Sequence, residues 1–533
     1  MKGNVKTSIV VIATVTALVG GICIGALTER RDRVAVSRGA GYGDSKLEAI
    51  WKLVDKHYVD PLGGDSVMDR VYAAVLSTLD PHSVYLSKSL LARENEELRG
   101  NFEGVGIMIR MLEDTVSVIQ VIEGGPSERA GVLAGDRILS VDGVPVTGVK
   151  MPSDSVVMRL RGRRRSVADL LVWREREGRT VTLKVKRDVI GTPTVVYSGM
   201  LDARTGYVRL ERFGEHTYDE FCQAVRDLKG RGMKRMVLDL RGNGGGLLSA
   251  AIGICDELLG GKEMIVYTDG AHERRKEEHS TPGGLFAEGD LVVMIDEFSA
   301  SASEIVSGAV QDNDRGLVVG RRSFGKGLVQ QQFPLPDGSA VQLTIARYYT
   351  PSGRCIQRPY DDGTEQYYND FVRQVWNEYE GDSLVAGGDT TPYYTAKGRV
   401  VYGGGGITPD RSIGYAKDTN VGYYNQLLSR GVIGDCVFHY VAREGGALRE
   451  RYADVEHFVK DYAVSDKLLG SVIEAGERKG VARDAKSLSH WQTDIKARIK
   501  AELGNMLFST SAFYAVMAPF DRELKEATGY LGK

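Results

Sequence analysis

Three things are scarce in this 533-residue sequence, and each scarcity removes a class of function. A basic surplus is missing: 69 Lys and Arg stand against 71 Asp and Glu, a formal net charge of −2. Nucleic-acid binding calls for an excess of cationic side chains, so no nucleic-acid partner is expected. Cysteines number only five. Cys23, Cys222, Cys255, Cys355 and Cys436 are widely scattered with no paired spacing; the first lies in an apolar run and the rest read as small buried hydrophobes. Histidines number eight, and His272 and His279 sit in a charged run with no cysteine nearby. Neither a metal nor a cofactor is expected.

What is present is the composition of an ordinary globular protein, 42% hydrophobic and 26% charged, long enough for three or four domains. Lys2 and Lys6 precede an uncharged run from Thr7 to Thr28, followed by Glu29-Arg30-Arg31. That run is long enough to span a bilayer, and it sits near the upper limit for a signal-peptide apolar region. Ile24-Gly25-Ala26 is a poor cleavage site, and Ile22 is wrong before a lipid-attachment cysteine. Residues 1–28 are therefore expected to be an uncleaved anchor rather than a cleaved signal peptide. The remainder would then work in the cell envelope, anchored to the inner membrane with its bulk in the periplasm or another extracytoplasmic space.

Residues 29–100 read as a linker and a helical module. Helical periodicity runs through Leu47, Ile50, Trp51 and Val54 and again through Val67, Val71, Ala74 and Val75, broken at Pro61-Leu62-Gly63-Gly64. From Asn101 the character turns to β. Gly104-Val105-Gly106-Ile107 is followed by Gly124-Gly125-Pro126-Ser127-Glu128-Arg129-Ala130-Gly131-Val132 and by Gly135-Asp136-Arg137-Ile138-Leu139-Ser140-Val141-Asp142-Gly143. Together these resemble a PDZ domain, assigned to residues 101–188. The resemblance implies that Gly104, Val105, Gly106 and Ile107 bind a peptide C-terminus. Arg163-Arg164-Arg165 and Ser166 to Glu177 depart from the family pattern and are expected to form an extra helical or extended excursion.

Residues 189–415 carry the chemistry-bearing motifs on an α/β pattern. Met236 to Leu240 is a buried strand leading into Arg241-Gly242-Asn243-Gly244-Gly245-Gly246. That turn lacks the order of a dinucleotide fingerprint and the Gly-Lys-Ser/Thr of a phosphate loop, so its glycines are read as letting backbone N–H groups face an anion. A second strand, Leu291 to Ile295, leads into the small-residue turn Ser299 to Ser303 and a helix from about Glu304 to Gln311. A third apolar run, Gly316 to Gly320, leads to Lys326 between Gly325 and Gly327. A serine hydroxyl needs a base, and no histidine lies in these motifs. A lysine serves if desolvation keeps its amine neutral, and Gly325 and Gly327, beside Phe324 and Leu328, suggest an uncrowded apolar setting. Ser299, Ser301 and Ser303 all compete for the role of nucleophile.

These motifs, with Leu79-Asp80-Pro81-His82-Ser83, Tyr349-Thr350-Pro351-Ser352-Gly353 and Gly404-Gly405-Gly406-Ile407-Thr408-Pro409-Asp410, resemble the carboxy-terminal processing proteases. These are PDZ-containing serine peptidases of family S41 with a Ser–Lys dyad. The resemblance covers roughly residues 46–412. It implies Ser301 as nucleophile, three residues before Glu304; the sharp turn agrees, with Ser303 read as a helix cap and Ser299 as the strand's end. Lys326 is then the general base. Gln330 is the polar residue that orients it, and their even spacing on a strand would put both on one face. Ala302 N–H supplies one oxyanion donor, with Gly245 or Gly246 as the second. Asp239 and Arg241 are read as fixing their turn, and Glu304 as a charge at the helix start.

The expected fold is α/β and multi-domain: a protease core with an inserted PDZ-like β domain, an N-terminal helical module and a helical appendage over 416–533. The function implied is a serine endopeptidase that takes proteins with apolar C-termini and cuts them through an acyl-enzyme. The membrane, a second copy of the chain, or an adaptor protein are the further partners in view. A catalytically silent PDZ scaffold on the same fold, or a crotonase-like acyl enzyme with a glycine oxyanion hole, are the alternatives.

Overall fold

The computed structural model describes residues 43–60, 62, 64–380, 391–415 and 422–532; the apolar N-terminal run lies outside them. Among the described residues no helix is long and apolar enough to cross a membrane. The chain divides into two compact units. One holds Met1–Ala92, Val329–Ile345 and Tyr360–Asn369; the other holds Arg93–Leu328, Ala346–Pro359 and Asp370–Lys533.

In the first unit the helices Gly43–His57 and Gly64–Leu76 follow the apolar periodicity. A short strand, Val84–Leu86, runs antiparallel to residues 340–342, with Leu86 opposite Ala340. The turn before it is an Asp80 cap. Asp80 accepts the N–H groups of His82 and Ser83 at 2.8 Å and the Ser83 hydroxyl at 2.6 Å. Ser83 Oγ in turn accepts Thr344 N–H at 3.1 Å. The Asp-Pro-His-Ser motif therefore clips a strand into place.

The second unit begins with the PDZ-like sheet. Its strands are β1 (Ile107–Leu112), β2 (Thr115–Val121), β3 (Arg137–Val141), β4 (Val167–Arg174) and β5 (Arg179–Lys186), joined in that order. Helices α1 (Pro126–Arg129) and α2 (Ser153–Leu160) accompany it. A core of Val118, Ile138, Val156, Leu170 and Val185 is fully or almost fully buried. The expected excursion is part of this sheet. β4 pairs with β5 from Val167↔Lys186 to Arg174↔Arg179. The cause is period-2 alternation, with Ala168, Leu170 and Val172 buried between exposed Val167 and Asp169.

The protease core is a sheet of β6 (Val195–Met200), β7 (Thr205–Leu210), β8 (Arg235–Asp239), β9 (Asp290–Ile295), β10 (Leu317–Gly320) and β11 (Arg411–Ser412), in that spatial order. β6 and β7 are antiparallel, and every later pair is parallel. The near-continuous apolar runs of β8 and β9 suit strands covered on both faces. The helices α3 (Thr217–Gly230), α4 (Leu248–Leu258) and α5 (Ala302–Asp312) supply the crossovers.

The appendage is helical, and its two longest helices are α6 (Val432–Arg451) and α7 (Ala485–Leu507). It ends in α8 (Arg522–Thr528). The apolar register of α6 runs from its first turn through Val432, Ile433, Val437 and Val441, all buried. The appendage core takes in Ile119 of β2, with Leu112 of β1 packed against it.

Candidate active site

Three neighbouring parallel strands end side by side, and each hands over one part of the site. β8 and β9 are in register with Asp239 opposite Met294, and β9 and β10 with Ile295 opposite Gly320. The glycine turn after β8, the serine turn after β9 and the lysine loop after β10 therefore leave one edge of the sheet. In open α/β sheets this carboxyl edge is where sites form.

The three serines separate cleanly. Ser299 is fully buried and donates its hydroxyl to the Leu240 carbonyl at 2.8 Å, while accepting Asp296 N–H at 2.9 Å. Ser303 is also fully buried and donates to the Asn243 carbonyl at 2.8 Å. It is thus a tie to the glycine turn and not the helix cap expected from its position. Ser301 is partly exposed and stands at φ +55°, ψ −111° immediately before α5. Side chains rarely adopt this backbone, and such strain concentrates at functional sites.

The carboxylate of Glu304 joins the serine turn to the lysine loop. Oε2 accepts the backbone N–H of both Ser301 and Lys326, each at 2.8 Å. Oε1 accepts the Ser323 hydroxyl at 2.6 Å and Gly325 N–H at 2.8 Å. Glu304 is fully buried, which pushes its carboxyl up, while these four donors pull the other way. A charge at the helix start, the role expected from its position, leaves this bridge out. Tyr348 closes the arrangement from the other side, its hydroxyl reaching the carbonyls of Ser301 (3.1 Å) and Lys326.

The surroundings of Lys326 are tighter than its glycine neighbours suggest. A Cβ at Gly325 would lie 2.9 Å from Gly406 N, and one at Gly327 would lie 2.9 Å from Gln357 N. The glycines are there because main chain passes alongside, and the same holds for Gly406, where a Cβ would meet the Ser323 carbonyl. Phe324 and Leu328 are buried, as an apolar setting requires, and Lys326 itself is partly buried. The strand that carries Gln330, Leu328–Pro334, starts two residues after Lys326, so the alternate-face argument for the pair does not apply. Gln330 belongs to the first unit, where its Nε2 lies 3.4 Å from Thr344 Oγ1.

On the glycine turn, Asn243 is fully buried and acts as the lock. Its Oδ1 accepts Gly245 N–H at 2.9 Å, and its carbonyl accepts Ala300 N–H at 3.0 Å. Gly245 sits so close that a Cβ there would lie 2.8 Å from Ser301 Cβ and 3.1 Å from Ala302 N. Gly245 N–H is thus occupied, whereas the N–H groups of Gly246 and Ala302 have no acceptor among the described residues. Beneath the turn, fully buried Asp239 accepts Tyr207 (2.7 Å), Arg209 (2.5 Å) and Arg241. Burial alone would raise its carboxyl, but the two guanidiniums hold it well below the ordinary range. Arg241 continues to Asp521 at 2.6 Å and Glu523 at 2.8 Å of the appendage.

In the PDZ-like region, Gly104 ends a strand paired with Asp188–Gly191 and bridges to Arg161. Val105 is buried in the domain core. Gly106 has φ +77°, and a Cβ there would lie 3.0–3.1 Å from Ile190 and Pro126. Its carbonyl accepts Ile122 N–H at 3.1 Å, which turns the backbone of the next residue, Ile107, away from β2. Among the described residues β1 pairs with β2 alone, so that direction is a free sheet edge.

A family model described as "Peptidase family S41" matches residues 204–369, and a PDZ domain model matches residues 117–174. A third, a family of unknown function, matches residues 423–509. The chain is 34% identical over 336 residues to a carboxy-terminal-processing protease of Bartonella bacilliformis, covering 62% of this chain and 75% of that protein. It is 35% identical over 310 residues to the carboxyl-terminal-processing protease of a Picosynechococcus species, covering 56% and 73%. Among solved structures, a photosystem II D1 C-terminal processing protease aligns at 28% identity with a TM-score of 0.35, covering 69% of this chain and 91% of that one.

Proposed function

The chain belongs to the carboxy-terminal processing proteases of peptidase family S41 and is a serine-type peptidase; from this we propose that Ser301 is its nucleophile and Lys326 its general base. The observation that carries the assignment is the fate of the three hydroxyls. Ser299 and Ser303 are spent on main-chain carbonyls, while Ser301 stands partly exposed, with its backbone tied through Glu304 to that of Lys326. In the reaction, Ser301 Oγ attacks the scissile carbonyl carbon as Lys326 Nζ takes the hydroxyl proton. The oxyanion is held by the N–H groups of Ala302 and Gly246, since Gly245 N–H is already committed to Asn243. Lys326 returns the proton to the leaving amine, and water resolves the ester by the same route. Gln330 is assigned to orienting the lysine.

The PDZ-like domain takes the substrate's C-terminus. An extended chain adds to the free edge of β1, its carboxylate at the Gly106 and Ile107 amides and its last side chain beside Ile107. We place the enzyme in the cell envelope, anchored through residues 7–28. The large apolar side chains exposed on the N-terminal helices, Leu47, Ile50 and Leu53, support a second copy or an adaptor as partner. A silent scaffold is not favoured by a chain that carries the serine and the lysine together.

The test is fluorophosphonate labelling and peptide cleavage by the full chain. Wild type should label and cut, Ser301→Ala should do neither, and Lys326→Ala should lose cleavage. A pH–rate profile should rise with deprotonation of a lysine. Labelling that survives Ser301→Ala, or an activity that titrates like histidine and survives Lys326→Ala, would overturn the assignment.

A further inference from the structure

α6 lies unusually close to the PDZ-like sheet, and the residues that permit this recur on one helical face. At Gly434 a Cβ would come within 2.6 Å of Arg110 Nη1. Ala442 abuts Gly135, where a Cβ would be 2.5 Å from the Ala442 Cα. At Gly446 it would be 1.7 Å from Arg176 Nη1. Positions 434, 442 and 446 share a face, since steps of four and eight return to the same side of a helix. The two helix glycines leave room for arginine tips, Arg110 at Gly434 and Arg176 at Gly446, while the main-chain approach of Gly135 to Ala442 sets how near the helix lies. On the same face His439 Nδ1 lies 3.3 Å from Arg137, and Asp435 lies 3.8 Å from Arg110.

Arg110 is on β1, the edge strand proposed to take the peptide, and any part it plays in recognition rests on that proposal. Ile107, Ile109 and Met111 pack into the PDZ core, so Met108, Arg110 and Leu112 face the other way. On that outer face Leu112 is covered by the appendage, Arg110 is at its margin, and Met108 is half exposed. A peptide strand antiparallel to β1, with its terminal residue beside Ile107, sets its third residue before the terminus beside Arg110, on the same face. The Arg110 side chain is 45% exposed, and its one ion pair among the described residues, to Asp435, is long at 3.8 Å. The guanidinium therefore has donors to spare.

We propose that Arg110, set against Gly434 and Asp435 of the helical appendage, reads the third residue before the substrate's C-terminus and favours a carboxylate there. The appendage thus forms the outer wall of the substrate groove. The substrate class is sharpened from apolar C-termini to apolar C-termini with an acidic residue three positions upstream. Asp435, 3.8 Å from Arg110 and paired more closely with Lys479, tempers the preference because its carboxylate would repel the substrate's acid.

The test measures binding of short labelled peptides, with a common apolar terminal residue, to the full-length Ser301→Ala protein. Glutamate at the third position before the terminus should bind roughly two- to fivefold more tightly than lysine there, the range of an exposed ion pair. Adding Arg110→Ala should bring the ratio to one, and adding Asp435→Asn should widen it. Moving the glutamate by one position should abolish the effect, because neighbouring residues face opposite sides. A ratio unchanged by Arg110→Ala, with both peptides still bound, would overturn the role of Arg110 and leave the groove assignment standing. Loss of all peptide binding on blocking the β1 edge with Ile107→Pro is the outcome expected of that assignment; binding that survives it would remove the groove and this inference together.

Discussion

Ser301 is partly exposed and sits at φ +55°, a backbone conformation that costs a side-chain-bearing residue energy and glycine little. Ser301→Gly should therefore stabilise the fold by about 1 kcal/mol while removing all cleavage, a stability–activity opposition readable by thermal unfolding beside an activity assay. Glu304 gives the complementary case. Its four acceptor contacts include the backbone of both reacting residues, and an amide replaces one acceptor oxygen with a donor that faces N–H groups. Glu304→Gln should lower stability by about 2–4 kcal/mol. It should also cut turnover by roughly a hundredfold through misplacement alone. A variant that keeps full activity would show that the carboxylate does not set the geometry.

Among elements, the small residues of α6 and their partners carry the junction between appendage and PDZ-like sheet. Gly135 has φ +94° and no room for a Cβ against Ala442. Gly135→Ala should cost about 2–3 kcal/mol, combining strained backbone with a steric push on α6, and should appear as a lowered melting temperature. Much of the element pattern is legible along the chain. The apolar runs of β8 and β9, the turn glycines and the small-residue turn at Ser301 are local signals, and locality is what a sequence displays. β4 is harder to read, because its alternation sits among arginines and glutamates that suggest an exposed excursion. The Glu304 bridge, the Asn243 lock and the Gly434–Arg110 approach are invisible in sequence. Each depends on residues far apart in the chain meeting in space, and a glutamate at a helix start already has a sufficient local reason to be there.

At the scale of the whole molecule, buried carboxyls should shape the response to pH. Glu378 is pushed up to about 7, chiefly by burial with a contribution from Glu297. Asp296 is pushed up to about 6, by burial and by the neighbouring Glu297. Each keeps its proton in the folded state to a higher pH than in the unfolded chain. Between the ordinary carboxylate range and about 7 the native state thus binds more protons, and stability falls as pH rises through that window. Asp239 works the other way, held well below the ordinary range, so its contribution is lost only under strong acid. Melting temperatures should accordingly decline from about pH 5 to pH 8, and Glu378→Gln should flatten part of that slope. Equal slopes for the two proteins would remove Glu378 as a cause.

Arg241, at the head of the glycine turn, meets Asp521 across 280 positions of chain, and Arg321 meets Glu523 across 202. A ribosome adding about 5–20 residues per second takes on the order of 15–60 seconds to cover the longer of these distances. Ser301 and Lys326 are made within the first third of that interval, and for the rest of it Arg241 has Asp239 but neither Asp521 nor Glu523. The newborn peptidase therefore passes its most vulnerable period, when unfinished neighbours are within reach, with the braces under its oxyanion turn still unwritten.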